Sequence, residues 1–427
     1  MNKKLLIVQV AALGYDLLRR HHGLSWEGLD VKAAHSIFPA LTCPVQASFR
    51  TATPPAVHGM VANGVFDRTL MKPLFWEQSA RLVQGPRIWQ NLRQAGKKVA
   101  MLFWQQSLGE DVDILLSPAP IHKHHGGMIQ DCYAKPDGLY ASLRTQIGRP
   151  FDLMRYWGPL AGNKASDWIA QATTKVLNDP TLAPDLCMTY LPLLDYDLQR
   201  YGPESPQAKR AVAQALDQLA LLKHTADRCQ YDLLVFGDYA IAPCCNGALY
   251  PNRVLKEAGL LSTRTIRTMQ YPDFYTSKAF AMVDHEIAHV YVQAEAAKVR
   301  AVFEQMPGID QVLQGGAMGQ AGLNSSRTGD LVLVAKPGYW LAYPWWTERR
   351  EAPDYAGHVD IHNKPGYDPC ELFWGWPPGT VSQNPDRLRG SHGRTGKDRQ
   401  IAWCSTCIEG EQATLVDLAK TVQHLLE

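Results

Sequence analysis

Four polar residues in this chain stand directly beyond short apolar or turn-forming stretches. They are Thr42 in Phe-Pro-Ala-Leu-Thr-Cys-Pro-Val-Gln, Asp195 in Leu-Pro-Leu-Leu-Asp-Tyr-Asp-Leu-Gln-Arg, Asp238 in Val-Phe-Gly-Asp-Tyr and His392 in Arg-Gly-Ser-His-Gly-Arg. A hydroxyl, two carboxylates and an imidazole are group types on which nucleophilic and acid–base chemistry draws. Each also has a plainer use. Thr42 at a strand-to-helix turn suits a helix N-cap, and Asp195 and Asp238 suit turns or caps. For His392 the plainer use is a core histidine, but its flanking Gly and nearby arginines suit a site residue on an exposed loop that faces an anion.

An open parallel sheet would bring such residues together, because ligands gather beyond the carboxyl ends of its strands. The apolar runs Leu5–Val10, Val99–Trp104, Cys187–Leu191 and Asp232–Phe236 recur with helix-like segments between them, the pattern of buried parallel strands with crossovers. The fold class expected is therefore α/β, a mostly parallel central sheet flanked by helices. Ser205–His224 reads as a helix, with Pro206 in its first turn and Ala211, Ala215, Leu219 and Leu222 on one face. A strand at Phe280–Val292, a helix at Val302–Leu313 and a strand at Asp330–Val334 suggest a smaller inserted α+β lobe over roughly residues 265–345 of a single domain. A strand near Gln400–Cys404 and a helix at Ala413–Leu426 return to the main sheet. The stretch Trp340–Arg389 is long for a passive connection, and long structured loops often build sites.

With 427 residues, 46% of them hydrophobic, the chain can bury a large core. Its 43 Lys and Arg nearly balance 41 Asp and Glu, and a net charge of +2 gives no broad attraction to nucleic acid or anionic lipid. Any anion must be recognised locally. No apolar run reaches the ~18 residues that cross a bilayer. The nine cysteines form no paired zinc-ribbon spacing, and reduced thiols in a cytoplasmic compartment are expected. Met1–Leu13 has the lysines and apolar run of a leader without its cleavage pattern, and reads as a first core strand.

The segment FPALTCPVQASFRTATPPAVHGMVANG, residues 38–64, resembles the part of the type I phosphodiesterase and nucleotide pyrophosphatase family in which a nucleophilic Thr precedes a His-Gly-x-x-x-Asn run. The resemblance continues through IWQNLRQAGKKVAMLFW (88–104), DYDLQRYGPESP (195–206), LLVFGDYAIAP (233–243) and GSHG (390–393), in the family's order. It implies an alkaline phosphatase fold and two zinc ions flanking a phosphoryl centre, one lowering the nucleophile's pKa and the other stabilising the leaving oxygen. By the same resemblance Thr42 is the nucleophile, Asn63 binds a phosphoryl oxygen, and Asp195, Asp238 and His392 are metal ligands. The chain is also similar to a bacterial subgroup that shares its Asp-Tyr-x-Leu-Gln-Arg and Asp-Ile-His-x-Lys-Pro-Gly-Tyr-Asp-Pro strings and lies near genes for small-metabolite assembly.

Three of the family's ligands are replaced: its first-strand Asp aligns with Ala11, the His of its Asp-x-x-x-His with Gln199, and the His of its Asp-His pair with Tyr239. Ala has no donor atom, Gln offers a neutral carbonyl, and Tyr must first lose a proton of pKa about 10. Other residues would have to rebuild the site. Asp360 and His362 could add metal ligands, and Arg200, Lys364 and Arg394 could clamp a phosphate. Fewer divalent ions than two, zinc or manganese, would be held by Asp195, Asp238 and His392 with Gln199, Asp360 or His362.

Other candidates have bland readings. His285 and His289 have the i, i+4 spacing of a zinc pair on a helix, but their segment reads as strand. His122, His124 and His125 suit a surface site, and Cys43 beside Thr42 suits an inert buried thiol. The expected function is hydrolysis, or phosphoryl or nucleotidyl transfer, on a phosphodiester or pyrophosphate of a small metabolite. The competing expectation is a fold that binds such a molecule without turnover.

Overall fold

The strand Lys4–Val10 is buried from Leu5 onward and is hydrogen-bonded on both sides, to Leu186–Leu191 and to Tyr231–Gly237, both parallel to it. It is the middle of an eight-stranded sheet in the computed structural model, which describes residues 4–124 and 126–427. Across the sheet the strands run Cys132–Lys135, Ile114–Pro118, Val99–Leu102, Leu186–Leu191, Lys4–Val10, Tyr231–Gly237, Ile401–Ser405 and Lys32–Ala34. The pairings from Ile114–Pro118 to Tyr231–Gly237 are all parallel, and the pairings outside them are antiparallel. Helices cover both faces, which is why the inner strands are continuous apolar runs rather than alternating ones.

The helix Pro206–Arg228 begins as its sequence requires. The Ser205 hydroxyl accepts from Ala208 N at 3.0 Å, and Pro206 occupies a position whose missing N–H costs nothing. The helices Thr42–Thr51 and Leu415–Leu426 pack together. No helix among the described residues is long and apolar enough to cross a membrane, and no disulfide joins any two of the described cysteines.

A second sheet, antiparallel, has the order Ala279–Asp284, Ile287–Val292, Leu331–Ala335, Ile309–Leu313 and its own apolar core. Two expectations are corrected here. Phe280–Val292 is two strands, folded back at the two-residue turn His285–Glu286, a turn without the Gly or Asn that normally announces it. The helix expected at Val302–Leu313 lies earlier, at Ala296–Glu304, because Pro307-Gly308 stops it and Ile309–Leu313 continues as a strand. In the Trp340–Arg389 stretch Trp340, Trp345 and Trp346 are core residues, with Tyr343 and Tyr367 packed beside the last two.

Candidate active site

Three parallel strands end at one place. After Val10 come Ala11 and Ala12, after Gly237 come Asp238 and Tyr239, and after Leu191 the helix Leu193–Tyr201 carries Asp195 and Gln199. Thr42 opens the helix Thr42–Thr51. Leu41, not Thr42, is its N-cap, so the threonine hydroxyl is not spent on the backbone and instead lies 3.4 Å from the Tyr239 hydroxyl. Tyr239 donates to Asp195 Oδ1 at 2.9 Å, Gln199 Nε2 donates to Asp195 Oδ2 at 2.7 Å, and Tyr367 donates to Gln199 Oε1 at 2.9 Å. Burial pushes the Asp195 carboxyl up to about 6 against these hydrogen bonds, which favour its ionised form.

Four rings form a column beside this chain. Tyr239 lies flat on His392 at 3.5 Å between centroids, His392 meets His285 at 3.8 Å, and His285 stacks on Tyr367 at 3.7 Å. The column thus runs from the hydroxyl that touches Thr42 to the turn of the second sheet. His392 is held by Ala40, whose carbonyl oxygen lies 2.8 Å from its Nδ1. Its buried Nε2 makes no hydrogen bond and is 3.7 Å from Asp195 Oδ1. Burial holds both imidazoles well below the usual histidine range.

Thr42 and three rings of the column, Tyr239, His285 and Tyr367, border a cavity of about 290 Å³. Trp76, Trp157, Tyr156, Met128, Met154 and Ile361 give it apolar walls, while Asp195 and Asp360 are its carboxylates. Among the described residues that line it there is no Lys or Arg. The cations expected to clamp a phosphate lie elsewhere. Arg200 donates to the carbonyls of Leu372, Ala161 and Gly158 and pairs with Asp197. Lys364 is buried between Asp368 at 2.8 Å and Glu371 at 2.7 Å, and Arg394 pairs with Asp310 at 2.9 Å. Arg200 and Arg394 were expected near a ligand because they stand close in sequence to ligand positions, and Lys364 because it would share a face with Asp360 and His362 in an extended segment, but carbonyls and carboxylates claim them first.

The donors do not fit a two-zinc centre. Asp238 Oδ1 accepts from the backbone N–H groups of Ala12 at 2.8 Å and Tyr239 at 2.9 Å, and Oδ2 from Gln9 Nε2 at 3.1 Å. Buried and saturated in this way, it is pushed up to about 8, chiefly by desolvation. Asp195 and His392 remain near one another, but both amide atoms of Gln199 are already engaged. Asp360 and His362 line the cavity wall without joining them, Asp360 bonded to Asn363 and His362 Nδ1 facing the Phe75 carbonyl at 3.0 Å. No three His, Cys, Asp or Glu gather at one point among the described residues. Zinc sites usually need three or four such ligands.

Asn63 does not face the cavity. Its Oδ1 accepts from Cys43 N at 3.0 Å, and its Nδ2 and N donate to Asp284 at 3.1 and 2.7 Å, so it links the Thr42 helix to the second sheet. Asp284 in turn lies 2.7 Å from His285 Nδ1. His289 is structural, with Nε2 3.1 Å from the Val61 carbonyl oxygen and Nδ1 accepting from Gly329 N. His122 borders the cavity, and His125 lies outside the described residues. Cys43 is buried and its thiol is pushed up to about 12, which fits inertness. Sequence reading did not single out Asp284 or Tyr367, and it weighed His285 only as half of a zinc pair with His289. The signal was the polar triplet Asp284-His285-Glu286 interrupting an apolar run.

No curated protein sequence matches this chain. Among solved structures it is similar to phosphonoacetate hydrolase from Sinorhizobium meliloti 1021 in complex with phosphonoformate, with 17% identity, a TM-score of 0.66 and coverage of 100% of this chain and 96% of that one. It is similar to murine ectonucleotide pyrophosphatase / phosphodiesterase 5 at 16% identity and a TM-score of 0.63, over 99% and 95% of the two chains. An inactive form of that mouse protein, in complex with AMP, matches at 15% and 0.63, over 100% and 95%. The sequence profile of the type I phosphodiesterase / nucleotide pyrophosphatase family matches residues 12–368. The chain belongs to that family, hydrolases built on the alkaline phosphatase fold.

Proposed function

We propose that this hydrolase cleaves a phosphodiester carrying an apolar, flat group, with Thr42 as its nucleophile, and does not cleave pyrophosphates. The observation that carries this reading is the composition of the cavity. Its aromatic walls suit a ring, and its two carboxylates, unopposed by any Lys or Arg among the described lining residues, repel multiply charged anions. A diester brings one negative charge, whereas a pyrophosphate brings two or more.

Thr42 can be activated without a metal. As its oxygen attacks phosphorus, the hydroxyl proton passes to the Tyr239 oxygen, and the Tyr239 proton passes to Asp195 along the hydrogen bond it already makes. The N-terminus of the helix Thr42–Thr51 favours the negative charge that develops on this oxygen. The bond to the leaving oxygen breaks, and the phosphoryl group stays on Thr42 with its remaining ester until water releases it as a monoester.

The test compares bis(p-nitrophenyl) phosphate with ATP as substrates of chelator-treated protein. Release of p-nitrophenolate, lost in Thr42→Ala, with ATP left intact, is the expected result. A preference for ATP, or tight binding of the diester without turnover by the wild type, would overturn the reading, the latter in favour of a binding role.

A further inference from the structure

The turn that carries His285 is unusual in three ways at once. First, His285 is the leading residue of a two-residue hairpin turn and has φ 62, a left-handed conformation that hairpins normally give to glycine. Non-glycine residues held there cluster at functional sites. Second, its ring is fixed from both sides, by Tyr367 at 3.7 Å and by His392 at 3.8 Å. Third, its edge borders the same cavity as Thr42.

The hydrogen bonds define what that edge offers. Asp284 already accepts two donors from Asn63, and its Oδ1 lies 2.7 Å from His285 Nδ1. With the carboxylate as acceptor, Nδ1 carries the proton and Nε2 the lone pair. In-line chemistry then gives this lone pair a use. The water that releases a group from Thr42 must attack from the side opposite the threonine oxygen, with reacting atoms about 3 Å apart. The ring that stands two stacking distances, 3.5 and 3.8 Å, beyond Tyr239 and still borders the cavity is His285.

We infer that His285 is a catalytic residue that removes a proton from the water resolving the phosphorylated Thr42, with Asp284 as its positioning residue; this rests on the hydrolase reading above. The water oxygen bonds to phosphorus and the bond from phosphorus to Thr42 Oγ breaks. The water proton goes to His285 Nε2. The proton stored on Asp195 returns through Tyr239 to the threonine oxygen. His285 then passes its extra proton to the departed oxyanion or to solvent, and the site is restored.

The experiment mixes chelator-treated enzyme with excess bis(p-nitrophenyl) phosphate and follows the first turnovers. His285→Gln is expected to release one p-nitrophenolate per chain in a burst, then to turn over about 100-fold more slowly than the wild type. Intact mass and peptide mapping should find Thr42 carrying the phosphoryl group with its remaining p-nitrophenyl ester. Asp284→Asn should accumulate the same adduct with a smaller slowing, and serves if the Gln variant does not fold. Folded variants that keep wild-type turnover, or that lose burst and turnover together with no adduct, would overturn the role of His285 alone. A wild type inert to the diester would overturn the hydrolase reading and this inference with it.

Discussion

Tyr239 donates its hydroxyl to Asp195 Oδ1 at 2.9 Å while its ring lies 3.5 Å from that of His392, so one side chain both feeds the carboxylate and covers the imidazole. Tyr239→Phe keeps the stack and removes the donor. Turnover of the diester should fall on the order of 100-fold, since the hydroxyl that meets Thr42 is gone. Loss of a bond that favours the ionised carboxylate should also move the rising limb of the rate profile to higher pH, measured from kcat across a pH series. An unmoved limb would exclude Asp195 as the proton acceptor.

Stability and activity should run in opposite directions with pH. Burial raises Asp195, Asp284 and Asp238 to about 6, 7 and 8. Each holds its proton more tightly in the folded chain than in the unfolded one, where a carboxyl titrates near 4. Their contribution is therefore complete below about pH 4 and is lost as pH rises through roughly 6 to 8. Tm should climb on acidification across that window, while turnover, which needs ionised Asp195, should decline. Calorimetry and rate measurements on one pH series check both.

The buried cations should prove structural. Lys364→Met leaves Asp368 and Glu371 without their partner and should cost about 3–5 kcal/mol in urea unfolding. Arg200→Met should also destabilise, because five backbone and side-chain acceptors lose a donor. Neither change should alter KM for the diester in protein that remains folded. A KM effect at constant stability would return these residues to the ligand.

Zinc should bind weakly until its ligands are restored. Elemental analysis of wild-type protein dialysed against zinc should find substoichiometric metal, since Asp238 is saturated by Ala12, Tyr239 and Gln9. The variant Ala11→Asp with Gln199→His and Tyr239→His supplies the three donors that the family resemblance requires, and should bind zinc stoichiometrically. Full zinc occupancy of the wild type would contradict the geometry.

The inner sheet was legible in the sequence because parallel strands buried on both faces leave unbroken apolar runs, as at Leu5–Val10 and Leu233–Phe236. Thr42, Asp195 and His392 were legible as a group from motif and strand-end position, and they do meet near one cavity. The partners of the charged side chains were not legible. Arg200 is held by the Leu372 carbonyl 172 residues away, which no local pattern encodes, whereas Lys364 meets Asp368 and Glu371 close by in sequence, in a stretch with no periodicity to show how it folds. Tyr239 read as a missing ligand, and only the fold reveals the carboxylate it serves. The His285–Glu286 turn was hidden because it breaks the turn chemistry on which sequence reading relies.

The bonds that define the site join distant parts of the chain. Thr42 and Tyr239 are 197 residues apart, Asn63 and Asp284 are 221 apart, and Gln199 and Tyr367 are 168 apart. Such closures are entropically expensive and depend on distant parts of the chain being brought together. The link from Asn63 to Asp284 also requires the second sheet to have docked against the Thr42 helix. The column therefore exists only where the two sheets are correctly joined: a chain whose sheets were each folded but misjoined would keep its secondary structure and lack the site.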